Sequence, residues 1–106
     1  VFSKKHVLIL KEGIVHMDEL QKRPKVRDDV TIQELGDEVM IYDSHNEKVH
    51  ILNNTAHCIW DLCNGNYTLR EIKEQMCKKF PNISEQEILT DIANAIKNFE
   101  NNKLLL

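Results

Sequence analysis

Past Leu52 the spacing of apolar residues changes from every second position to every third or fourth, which splits the chain into a sheet half and a helix half. Before the change, Val30 and Ile32 alternate with Thr31 and Gln33, the pattern of a half-buried strand. Gly36-Asp37 follows, and a glycine at the first central position favours a tight two-residue hairpin turn. Val39-Met40-Ile41-Tyr42 is almost continuously apolar, as expected of the middle strand of a small sheet. After the turn cluster Asp43-Ser44-His45-Asn46, the third strand is Lys48-Val49-His50-Ile51-Leu52. Its alternation puts Val49 and Ile51 on one face and Lys48, His50 and Leu52 on the other.

Beyond the change, Asn54 or Thr55 is expected to cap a helix whose inner positions are Ala56, Ile59, Trp60 and Cys63, with Gly65 ending it. Thr68 with Glu71 makes a capping box for a second helix with Leu69, Ile72, Met76 and Phe80 inward. Ser84 with Glu87 makes another, opening a third helix striped by Ile88, Leu89, Ile92, Ala95, Ile96 and Phe99. Asn101-Asn102 closes it, and Leu104-Leu105-Leu106 is expected to rest on the core. The order predicts an α+β, winged-helix-like fold: a three-stranded antiparallel sheet followed by a three-helix bundle.

Residues 1–22 carry weaker signals. His6–Leu10 and Ile14–Met17, joined by Lys11-Glu12-Gly13, fit a hairpin; the same stretch also fits a helix or an arm that orders against a partner. Lys22-Arg23-Pro24-Lys25 reads as a linker because Pro24 interrupts a regular ladder. The division expected is therefore an extension, 1–22, and a domain, 23–106.

Several functions are disfavoured by the same residues. The net charge is -3, and the third helix sets Glu85, Glu87, Asp91 and Glu100 against Lys97 alone. That sign opposes phosphate contact, which counts against the alternative of a winged-helix DNA-binding regulator. The basic cluster Lys22, Arg23, Lys25 and Arg27 reads as a solvated arm. Cys58, Cys63 and Cys77 are an odd set without a C-x-x-C spacing, so they read as reduced, buried thiols of a cytoplasmic protein rather than metal ligands or a nucleophile. Gly13, Gly36 and Gly65 are isolated and form no phosphate loop. No apolar run reaches the roughly 20 residues that span a bilayer. No cofactor, nucleic acid or membrane is expected as a partner, and the chain reads as a non-enzyme.

From about Lys25 to Leu106 the pattern resembles the PqqD family. The matching pieces are Arg23-Pro24-Lys25-Val26-Arg27, Glu34-Leu35-Gly36-Asp37-Glu38-Val39 and Val49-His50-Ile51-Leu52-Asn53. Thr55-Ala56, Ile59-Trp60, Cys63-Asn64-Gly65, Thr68 and Glu71-Ile72 follow in order. The resemblance implies a module that binds the leader of a ribosomally made precursor peptide. It implies that the peptide adds as a strand to the sheet edge, beside the third helix, for presentation to a modifying enzyme, often a radical S-adenosylmethionine enzyme. The residues before Lys22 have no counterpart in the family, and Asn102-Lys103 stands where the family usually has a glycine.

Apart from the resemblance, a three-stranded sheet has two edges whose unpaired N–H and C=O groups can receive another strand. The expected edge is Lys48, Val49, His50, Ile51 and Leu52, facing Ile88, Asp91, Ile92 and Ala95 of the third helix. The plainer reading makes the edge covered and the helix stripe wholly core. An open edge also suits a strand from a second copy, so a homodimer is a further expectation.

Overall fold

The computed structural model describes residues 7–10 and 13–16 as backbone and residues 20–106 in full. Strands β1 (Val7–Leu10) and β2 (Gly13–His16) pair antiparallel as a separate two-stranded sheet. The hairpin expected near the start is thus present at these positions. His6, Lys11, Glu12 and Met17 lie outside the described residues. Both strands pack against the last helix of the chain.

The main sheet is β3 (Thr31–Leu35), β4 (Glu38–Asp43) and β5 (Lys48–Leu52), in the order β3-β4-β5. The apolar run Val39–Tyr42 is central, as its composition predicts. The turn closes on Leu35 opposite Glu38, and Gly36 has φ 74°, a conformation glycine adopts without steric cost. Helix α1 (Asn54–Leu62) lies under β4 and β5, and α2 (Leu69–Lys79) and α3 (Glu85–Asn101) pack against it and each other. The core is Val39, Ile41 and Leu52 from the sheet, then Ile59, Trp60, Ile72, Met76, Ile88, Ile92 and Phe99 from the helices. The Trp60 and Phe99 rings meet edge to face, centroids 5.2 Å apart.

Several local expectations change. Every residue of β3 is exposed, including Ile32, so this strand is not half-buried. The cause is that α1 covers β4 and β5 and leaves β3 overhanging. The cap of α1 is Asn53, whose side chain accepts from the Ala56 amide at 2.8 Å. That helix ends at Cys63, and Gly65 (φ 86°) belongs to the following loop, where its amide donates to the Pro24 carbonyl. A Cβ there would lie 3.3 Å from the Lys25 side chain. The Thr68–Glu71 box is complete, whereas Ser84 receives the Glu87 amide without the return bond to its own N–H.

The stretch expected to be a linker is a strap. Leu20 is buried in the core; Lys22 and Pro24 carbonyls accept from Leu69 and Gly65, and Lys25 and Val26 bridge Asn64 and Leu105. Pro24 fits because an extended strap needs its carbonyl but not its missing N–H. Arg27 is no solvated arm: its guanidinium grips Asp43 at 2.8 and 3.2 Å and Asp29 at 2.9 and 3.0 Å. Asp43 is fully buried and also accepts from the Asn46 side chain at 2.7 Å and from the His45 and Asn46 amides.

At the end of α3, Lys103 takes the left-handed conformation, φ 57°, where the family usually has a glycine, and Asn102 stays at φ -96°. Lys103 and Leu104 amides return to Glu100 and Phe99 carbonyls, the paired closure of a Schellman motif. Leu104 is sealed in the core, Leu105 is half-buried and Leu106 is exposed.

Two outcomes follow from these contacts. The Arg27 guanidinium, then the Asn46 side chain, hold the Asp43 carboxyl far below the ordinary carboxylate range. A depressed carboxylate binds fewer protons in the native state, so its stabilisation is complete above the unfolded value of about 4 and fades as pH falls below it. Urea unfolding of Asp43→Asn is expected to show a lower midpoint at neutral pH and a flatter decline between about pH 5 and pH 3; equal slopes would contradict this. Lys103→Gly is expected to stabilise the fold by about 0.5–1 kcal/mol by relieving the left-handed backbone, readable as a raised urea midpoint.

Candidate functional site

Between β5 and α3 the fold leaves a cleft of about 310 Å³. Its near wall is Ile51 and Leu52; its floor is Asn53, Thr55, Ala56 and Ile59 at the start of α1. The far wall is Asp91, Asn94, Ala95, Asn98 and Phe99 of α3. The gap exists because α1 touches both elements while α3 is held by α1 and α2. Small side chains at Ala56 and Ala95 keep it open.

The outer edge of β5 pairs with no other strand among the described residues, and β4 occupies its inner edge from Val39↔Leu52 to Asp43↔Lys48. On the β3 side the adjoining concavity is walled by the chain's own strap, Lys25–Asp28 and Val30. The two sheet edges therefore differ: one looks onto a helix across a cleft, the other onto the strap.

Of the residues expected at the site, Ile51, Leu52, Asp91 and Ala95 line the cleft. Lys48 and His50 lie on the inward face of β5 beyond that lining, while Val49 lies on the outward face and is 55% exposed. Ile88 and Ile92 are sealed in the core rather than facing the cleft, because the central line of the α3 stripe turns toward α1 and α2. The residues not anticipated are Asn53, Thr55, Ala56, Ile59, Asn94, Asn98 and Phe99. A signal for three of the wall residues was present: Asp91, Asn94 and Asn98 recur at i, i+3 and i+7, a polar line beside the apolar stripe.

The cleft mixes apolar floor and polar rim, and among the described residues Asp91 is the one ionisable residue in its lining. Asn98 accepts on its carbonyl and side-chain oxygens from the Asn102 side chain, at 2.9 and 2.7 Å. Asp91 and Asn94 are likewise engaged in polar interactions. On the inward face, the His50 Nε2 is shielded from solvent and has no hydrogen-bond partner among the described residues. The outward face shows Tyr42, Val49 and Ile51, each at least 40% exposed, a contiguous apolar row across β4 and β5.

Other candidate chemistry is absent from the described residues. No group of three His, Cys, Asp or Glu side chains is arranged to hold a metal. Cys58 and Cys63 are buried, and burial pushes the Cys63 thiol up to about 12, far from thiolate reactivity. Arg23 and Arg27 are committed to holding the strap, Arg23 to the Asn66 carbonyl and Glu71. No helix among the described residues is long and apolar enough to cross a membrane.

The fold is similar to that of a solved structure described as TbiB1 in complex with the TbiA(beta) leader peptide. The TM-score is 0.65 at 21% identity, covering 76% of this chain and 93% of that one. No curated protein matches the chain. A family model described as coenzyme PQQ synthesis protein D (PqqD) matches residues 38–105. That match runs from β4 through all three helices, the elements that build the cleft, and the chain belongs to the PqqD family.

Proposed function

We propose that this chain captures the leader of a ribosomally made precursor peptide and holds it for a modifying enzyme. The observation that carries the reading is the edge of β5, unpaired among the described residues, beside an apolar-floored cleft. An extended guest adding to β5 gains backbone hydrogen bonds whatever its sequence, and alternate side chains then supply selectivity. One set of guest side chains enters the cleft between Leu52 and Ala95; the other lies beside Val49 and Ile51. Family membership supports the reading, as does the solved relative described with a leader peptide.

In this reading the protein is a binding module, not an enzyme, and works in the cytoplasm. Its domain is 23–106 with Leu20 anchored into the core, and residues before it form an accessory hairpin against α3. A radical S-adenosylmethionine enzyme is the proposed recipient of the bound peptide, and the open β5 edge also suits a strand of a second copy. The DNA-binding alternative gains no support, because Arg27 is committed to carboxylates within the fold and α3 displays exposed Glu85, Glu87 and Glu100.

Selection of displayed random 12-residue peptides tests the reading. Selected peptides are expected to shift the amide NMR signals of β5 and α3. Asn98→Trp or Ala56→Phe, which fill the cleft from wall and floor, are expected to weaken binding at least about tenfold with little change in melting temperature. Peptides that bind both variants as tightly as the parent, or duplex DNA that shifts Lys22–Arg27 instead, would contradict it.

A further inference from the structure

We infer that Val49 and Ile51 select the guest strand by its outward side chains, requiring apolar residues at two positions spaced by two. The inference rests on the peptide-capture reading and names the class of residue taken outside the cleft. The solvent face of a small antiparallel sheet is ordinarily polar, whereas the face turned from the helices here is graded. Its two cross-strand ranks are Thr31–Tyr42–Val49 and Gln33–Met40–Ile51. Both are polar on β3 and apolar on β5, where Val49 is 55% and Ile51 50% exposed. Leu35, also exposed on β3, stands at the turn opposite Glu38 and outside both ranks. Edge strands are commonly guarded against association by charged side chains, yet the outward face of β5 carries none, since Lys48 lies on the opposite face.

Ile51 belongs both to this face and to the lining of the cleft, so the two surfaces join at the open edge. A strand added to β5 sets its residues opposite Val49 and Ile51 on the same outward side, with Cβ atoms about 5 Å from theirs. Aromatic or β-branched side chains there cover the two exposed residues and continue both ranks onto a fourth strand. Polar side chains leave that surface in water. The guest residue opposite Leu52 turns inward to the cleft, where the floor includes Ala56 and Ile59. The guest therefore carries two apolar residues two apart, with a third, for the cleft, directly beside one of them. This spacing holds whichever direction the guest runs, because alternation is a property of the strand itself.

Displayed random 12-residue peptides, selected against the wild type and against Val49→Lys/Ile51→Lys, provide the probe. Binders of the wild type are expected to share the apolar trio, and binders of the double variant to carry Asp or Glu at the outward pair. In one wild-type binder, threonine at both outward positions is expected to weaken binding to the wild type about fivefold. The same change is expected to alter binding to Val49→Thr/Ile51→Thr hardly at all. The wild-type protein gives an independent readout: its Val49 and Ile51 methyl resonances are expected to move more with the selected peptide than with the threonine peptide. If both selections give the same residues at the outward pair while β5 amides shift, the Val49 and Ile51 assignment falls and peptide capture stands. A wild type that sediments as a dimer, beside a monomeric Val49→Lys/Ile51→Lys variant, would give the row to a second copy and overturn the assignment. If binders leave the β5 amides unmoved, both fall together.

Discussion

The edge-to-face contact of Trp60 with Phe99 joins α1, which lies under the sheet, to α3, which does not pack directly along β5. Helix α1 is therefore a spacer. Its Trp60 and Ile59 fill the layer between sheet and helices, and the residues at its start, with Ala56 among them, floor the space left between β5 and α3. Phe99 serves both sides of this arrangement, buried against Trp60 and lining the end of the cleft. A void at this contact costs both packing and the geometry of the cleft wall.

The strap secures the opposite side of the domain. Arg27 spans from Asp29 to the buried Asp43 at the end of β4, and its neighbours bridge the α1–α2 loop and the C-terminal residues. A buried carboxylate is tolerated only when its lone pairs are filled, and Asp43 receives Arg27, Asn46 and two backbone amides. The result is an asymmetric sheet. The strap walls the concavity beside β3, while β5 looks across open space to α3. In the proposed reading, this asymmetry directs strand addition to one edge without any sequence-specific contact to the guest backbone.

Much of this was legible in residue spacing. The change of period after Leu52 placed the sheet before the helices, the apolar run of β4 placed it centrally, and Thr68–Glu71 marked the start of α2. Of the candidate cleft's lining, Ile51, Leu52, Asp91 and Ala95 were legible, and its floor less so, because Ala56 and Ile59 read as ordinary core positions. What escaped is what depends on distant parts meeting. Arg27 and Asp43 are 16 residues apart, and nothing local announces their pairing. Ile32 looks like a core residue by alternation, yet no helix covers β3. Lys103, a residue rarely chosen for left-handed backbone, holds that conformation because Leu104 is drawn into the core behind it.

Amide hydrogen exchange of the whole domain, with and without a bound peptide, addresses the central claim most directly. The account expects slowed exchange at amides of β5 that point away from β4, with β3 unchanged. Unchanged exchange along β5, or protection gained along β3 instead, would contradict it.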